Sequence, residues 1–194
     1  VPAFAQSTNA EVTLTLVEST TPGVITTGEQ FQVEFRAVDI AADPDKATFG
    51  AYFDVTFPQA ILQVVELPDD PGDPSIANGI DYNSEDPQYE QALAAGSIDN
   101  PNGLVDEVGI GSLAFTAPNA TPDNTLVFTL TFTAVGEGNF TIGTNVADGG
   151  NGFVLESNAG DQRNNVDYGD LTGTVLGPPE IDSSARLNAS PTNA

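Results

Sequence analysis

The chain has 194 residues, a length suited to one domain. Its 28 acids stand against 4 Lys and Arg, a net charge of −24 that repels nucleic acid and anionic lipid, whose binding needs clustered cations. With no His and no Cys there is no Ser-His or Cys-His catalytic set and no His or Cys metal ligand. Oxygen chemistry remains: a hard cation such as calcium, or a glycosidase-type carboxylate pair.

Residues 1–9 contain Ala3-Phe4-Ala5 before Gln6-Ser7, the small-x-small form of a signal-peptidase site, so this segment is read as a signal-peptide remnant and export is expected. No apolar run reaches the ~18 residues of a membrane helix, and no membrane insertion is expected. Val12, Leu14 and Leu16 alternate with Thr13 and Thr15, the period of a half-buried strand. Thr21-Pro22-Gly23 and Thr27-Gly28 mark turns before a second row, Phe31, Val33, Phe35 and Ala37. Phe49 to Phe57 forms a third, and Ile61 to Leu67 a fourth after the break at Pro58.

Next comes a long polar insertion, 68–103. Within it Asp86-Pro87 can cap and start a helix that Gly96 would stop, which predicts one short helix over 87–95. Val108 to Phe115 is the next strand; Leu126 to Ala134, with Thr129, Thr131 and Thr133 facing away, is the clearest. Phe140 to Ile142, Phe153 to Leu155 and Val166 to Leu176 complete the set. The pattern predicts an all-β chain, a jelly-roll or Ig-like β-sandwich of about nine strands over 10–177, with Phe31, Phe35, Phe53, Phe57, Phe128 and Phe132 in its core. Pro178-Pro179 ends the last strand, and 178–194 reads as a polar tail.

The acids gather in loops: Asp39, Asp43 and Asp45 in one, and Asp99 and Asp106 around a Pro/Gly bend whose oxygen-rich side chains have the ingredients of a calcium loop without EF-hand spacing. Crowded carboxylates repel one another unless a cation or water intervenes, so these five are the candidate calcium ligands. Asp106-Glu107 is the obvious adjacent pair for catalysis, but strict alternation along a strand sends neighbours to opposite faces, and no catalytic residue is assigned. Tyr52, Tyr82, Tyr89 and Tyr168 are the aromatics a sugar could stack on.

Four stretches, taken together, resemble cohesin-like domains of bacterial secreted or cell-surface proteins. They are Phe49-Gly50-Ala51-Tyr52-Phe53-Asp54-Val55-Thr56-Phe57, Leu104-Val105-Asp106-Glu107-Val108-Gly109, the row Leu126 to Ala134 ending in Gly136-Glu137-Gly138, and Val166-Asp167-Tyr168-Gly169-Asp170. The resemblance covers about residues 10–177 and implies a nine-stranded jelly-roll sandwich, secretion and non-catalytic protein association, often with calcium. Pro58-Gln59-Ala60 stands where an Asp-Pro-Ala turn is common, the 68–103 insertion is long, and no dockerin-type calcium repeat is present.

Two functions are expected from these readings. The first is a secreted structural or adhesive module, stabilised by calcium and self-associating, with residues 6–17 pairing on a neighbouring copy to build a fibre or layer. The second is a recognition module for carbohydrate or a dockerin-like protein.

Overall fold

The structure, a computed structural model, describes residues 9–17, 25–40, 48–68, 76–82, 95–111, 124–149, 152–155 and 161–178. Each alternating row becomes a strand with its large apolar side chains on one face. In Gln30–Asp39 (β3) Phe31, Val33, Phe35 and Ala37 are buried while Gln30 and Gln32 are exposed. Asn124–Ala134 (β10) buries Phe128, Leu130, Phe132 and Ala134, and Ala10–Val17 (β1) buries Ala10 and Val12. Thr48–Thr56 (β4) turns Ala51, Phe53 and Val55 inward. β-Branched and aromatic residues dominate these rows because they fit a pleated surface with one dry side.

The remaining strands are Ile25–Thr26 (β2), Leu62–Val64 (β5), Ile76–Ala77 (β6), Ile80–Asp81 (β7), Ala95–Asp99 (β8), Leu104–Gly111 (β9), Gly138–Val146 (β11), Val154–Leu155 (β12), Val166–Tyr168 (β13) and Asp170–Leu176 (β14). Among the described residues the strands form two seven-stranded sheets. The first runs β13-β1-β3-β10-β7-β6 with β5 also on β10; the second runs β2-β14-β11-β4-β9-β8 with β12 also on β4. Face to face they make a jelly-roll sandwich, the expected fold class. The predicted phenylalanines meet at its centre: Phe128 stacks on Phe35 at 4.6 Å and lies 5.3 Å from Phe53, while Phe132 stacks on Phe31 at 5.6 Å and meets Phe57 edge-on at 5.5 Å. Such ring pairs add to burial through quadrupole complementarity.

Every row read from the sequence is a strand here, with three adjustments. Val166 to Leu176 is not one strand: it divides at Gly169 into β13 in the first sheet and β14 in the second. A Cβ at Gly169 would collide with the Val12 carbonyl oxygen, so glycine lets the chain cross at that point. In β10 a bulge between Leu126 and Phe128 adds Val127 to the buried set. The strand expected to start at Val108 begins at Leu104, and Phe115 lies outside the described residues.

The expected helix 87–95 is corrected at its end. Residues 83–94 lie outside the described residues, but Ala95 opens β8 and the proposed stop, Gly96, lies inside that strand at φ +150. Its missing Cβ leaves room for the Tyr82 hydroxyl and Ile80, which a side chain there would meet at 2.9 and 3.0 Å. Segment 68–103 also carries β6 and β7, so it contributes to both sheets, and Tyr82 is fully buried against Phe128. β1 is also not free for donation to a neighbour: it pairs with β3 from Ala10–Asp39 to Val17–Gln32. Among the described residues no helix is long and apolar enough to cross a membrane.

Candidate functional site

The second sheet's outer face holds an acidic patch built on a bulge. Phe53 pairs with Val108 but Val55 pairs with Val105, so Asp54 stands opposite two residues, Asp106 and Glu107. Glu107 takes up the extra residue at φ +50, an uncommon conformation for a residue with a side chain, and its amide donates to Asp54 Oδ1 at 2.9 Å. Strict alternation, which separated Asp106 from Glu107, is thus broken where it mattered, and both carboxylates act on Asp54. Asp148, in the loop after β11, is the third.

Burial comes first among the causes that hold the Asp54 carboxyl above the usual carboxylate value; the Glu107 amide opposes it, and the charges of Asp106, Asp148 and Glu107 add to it. The Glu107 carboxylate lies against the Cα of Gly149, where any side chain would collide with it, and its Oε1 is shielded from solvent without a hydrogen-bond partner.

One guanidinium organises the loop beside this patch. Arg163 Nε pairs with Asp161 Oδ2 at 2.6 Å, and its NH1 donates to the carbonyls of Ala147 and Gly149, each at 2.9 Å. Asp161 Oδ1 accepts from the amides of Arg163 at 3.0 Å and Phe153 at 3.3 Å. Burial alone would raise the Asp161 carboxyl; those amides, with the guanidinium's hydrogen bond and charge, outweigh it and hold the group below its ordinary value. Tyr168 donates to the Arg163 carbonyl at 3.0 Å, and burial pushes its phenol up to about 12.

Of the five candidate calcium ligands, two that the structure describes, Asp39 and Asp99, lie far apart. Asp39 is buried at the end of β3, opposite Ala10. Asp99 sits at the other end of the sandwich, because the Asn100 side chain accepts from the Val64 amide through Oδ1 and donates to the Val64 carbonyl through Nδ2, and Val64 pairs with Phe132, which pairs with Phe31. From Phe31 to Asp39 is about 26 Å along the strand at ~3.3 Å per residue. The Asp99 carboxylate closes its own turn, accepting the Asn102 amide at 3.2 Å and its side-chain Nδ2 at 2.7 Å. Asp106 faces Ser97 across the β8–β9 pair, and Asp43 and Asp45 lie outside the described residues. Among the described residues no group of three acids is arranged to hold a metal.

The tyrosines are structural where described. Tyr82 is fully buried, Tyr52 is nearly so with its phenol raised to about 12 by burial, and Tyr168 is half-buried; Tyr89 lies outside the described residues. Tyr52 and Tyr82 therefore present no open ring face to a sugar. Sequence reading located Asp106 and Glu107 but missed Asp54 and Asp148. Asp54 was legible only as the one acid in an otherwise apolar and Thr-lined strand.

No protein-family model matches the sequence, and no curated protein matches it either. Solved structures do. The fold is similar to the cohesin module of a family 33 glycoside hydrolase from Clostridium perfringens, with TM-score 0.54 at 9% identity over 89% of this chain and 100% of that one. It is similar to a type II cohesin in a complex with X-dockerin from Acetivibrio cellulolyticus, with TM-score 0.51 at 15% identity over 89% and 98% of the two chains. A cohesin from a type I cohesin–dockerin complex of Clostridium thermocellum gives 0.50 at 12% identity over 87% and 99%. The chain therefore has a cohesin-like fold, as its four sequence stretches implied.

Proposed function

We propose that this chain is a non-enzymatic protein-recognition module that works outside the cell and receives its partner on the outer face of the second sheet, at the Asp54–Asp106–Glu107–Asp148 patch. The observation that carries this reading is an acidic patch that no cation among the described residues neutralises. A bulge gathers Asp54, Asp106 and Glu107, the loop after β11 adds Asp148, and the nearby cation, Arg163, is committed to Asp161 and two carbonyls. A partner bearing Lys or Arg finds charge complementarity there, which raises association rate and selects against acidic competitors. Support comes also from the fold, since two similar cohesins were solved in complexes with dockerins. A dockerin-like protein is accordingly the ligand class, and carbohydrate is not part of the reading.

The test is calorimetric titration of the domain with a panel of dockerin modules, repeated with Asp106→Lys and Asp148→Lys. We expect at least one dockerin to bind and the charge reversals to weaken it by tenfold or more, because like charges then face each other. Binding untouched by both reversals moves the interface off this patch, and silence across the panel removes the dockerin-like ligand.

A further inference from the structure

Strand β1 is paired on one side along its whole length but on the other only in part. β13 accompanies it from Ala10 to Val12, opposite Val166 to Tyr168. There the neighbour leaves: the Gly169 amide donates to the Val12 carbonyl at 3.1 Å, and Asp170 begins β14 in the other sheet. In a ladder the N–H and C=O of one residue point to the same side, and the side alternates with each residue. Val12 directs its carbonyl toward β13, so Leu14 and Leu16 direct their N–H and C=O the same way, past the end of β13. Among the described residues nothing accepts or supplies those four bonds.

This edge has none of the features by which proteins blunt an open strand, such as Lys, Pro or an inward charge. Thr13-Leu14-Thr15-Leu16-Val17 carries no charge in a chain of net −24. Leu14 and Leu16 pack inward against the core, and Thr15 is exposed on the outer face. Of the other edge strands among the described residues, β8 ends on an acid, Asp99.

We propose that Thr13–Val17 is a docking edge for a second copy of this chain, paired antiparallel about a two-fold axis through Thr15. In that register Leu14 faces Leu16 of the second copy, Thr13 faces Val17, and Thr15 faces its own counterpart. Both outward-pointing residues fall on hydrogen-bonded pairs, so the four free N–H groups, two per copy, meet four free carbonyls. Leucines continue the inner face and threonines the outer, and no charge stands opposite another. The occupant is a second copy because the five residues complement themselves, and because a body of charge −24 can approach another only where the contact is uncharged. A two-fold contact closes on itself, so the assembly is a dimer and not the propagating fibre expected from residues 6–17 as a donated strand.

The intact protein can be examined by sedimentation equilibrium at low salt and at about 1 M NaCl, where charges beyond ~3 Å are screened, together with hydrogen exchange and two variants. Thr15→Asp places like charges face to face on the axis. Thr131→Asp adds the same charge to the outer side of β10, which is paired on both sides. We expect dimerisation that strengthens with salt, slowed exchange of the Leu14 and Leu16 amides in the dimer, loss of affinity by about tenfold or more in Thr15→Asp, and little change in Thr131→Asp beyond its added charge. A monomer at high salt and millimolar protein overturns the proposal. So does a dimer whose Leu14 and Leu16 amides exchange as in the monomer, or equal weakening by the two variants.

Discussion

Phe128 touches both sheets. Its ring lies against Phe35 in the first sheet and Phe53 in the second, with Tyr82 edge-on at 6.4 Å. Phe128→Ala should therefore cost about 3–5 kcal/mol in urea unfolding, since little can collapse into a space bounded by three rings; a loss under ~1 kcal/mol would mean the site repacks freely. Two acids should respond to pH with opposite sign. Asp161 is held below its ordinary value, so its contribution is present above the unfolded carboxylate value of about 3.9 and is lost as pH falls through the folded one. Asp54 is held above it, so its contribution is present below about 3.9 and is lost as pH rises through the folded value. Asp161→Asn should cost about 1–2 kcal/mol at pH 7 by weakening its bonds to Arg163 and Phe153, and the cost should shrink in acid. Asp54→Asn can still accept the Glu107 amide while removing repulsion, so it should gain a few tenths of a kcal/mol at pH 7 and nothing at low pH. Thermal unfolding across pH checks both, and a common sign for the two variants would refute the pairing.

At the scale of strands, what the sequence disclosed depended on how far each strand's burial is written in its own residues. β3 and β10 are long rows with one dry face, and alternation alone locates them. β8 is Ala-Gly-Ser-Ile-Asp, with one large apolar residue; it is a strand because β9 offers it hydrogen bonds, a tertiary cause that no local pattern shows. Bulges were also invisible, because an inserted residue leaves composition unchanged while turning each later side chain to the opposite face. The acidic patch was missed for that reason: Asp106 and Glu107 were seen, but only the register shift opposite Asp54 brings them to it. Gly96→Ala tests β8 directly. At φ +150, and with the Tyr82 hydroxyl 2.9 Å from the added methyl, it should destabilise by more than ~1 kcal/mol. A neutral substitution would show that β8 shifts easily on β9.

For the molecule as a whole, net charge works against compactness. With −24 distributed over one sandwich, self-repulsion lowers stability at low ionic strength, and monovalent salt should relieve it. The unfolding midpoint should rise by a few degrees between low salt and about 1 M NaCl, roughly 1–2 kcal/mol for a chain of this size. Calorimetry in NaCl and KCl at matched ionic strength should show equal rises, since screening does not distinguish the cations. A flat response would mean that the acids are spaced widely enough not to interact.

Finally, the crossing at Gly169 determines how this sandwich carries load. β1 runs parallel to β13, and β2 runs parallel to β14. Traction that draws Ala10 backward and Leu176 forward slides parallel neighbours past one another, so their bonds are strained together and must fail together. Traction between Ala10 and Asp39, which face each other at the end of the antiparallel pair β1–β3, would instead open that pair one rung at a time. Pulled through the first two points in a single-molecule instrument, the domain should hold to severalfold higher force than through the second two. The parallel pairs would thus act as a clasp and the antiparallel pair β1–β3 as a zip.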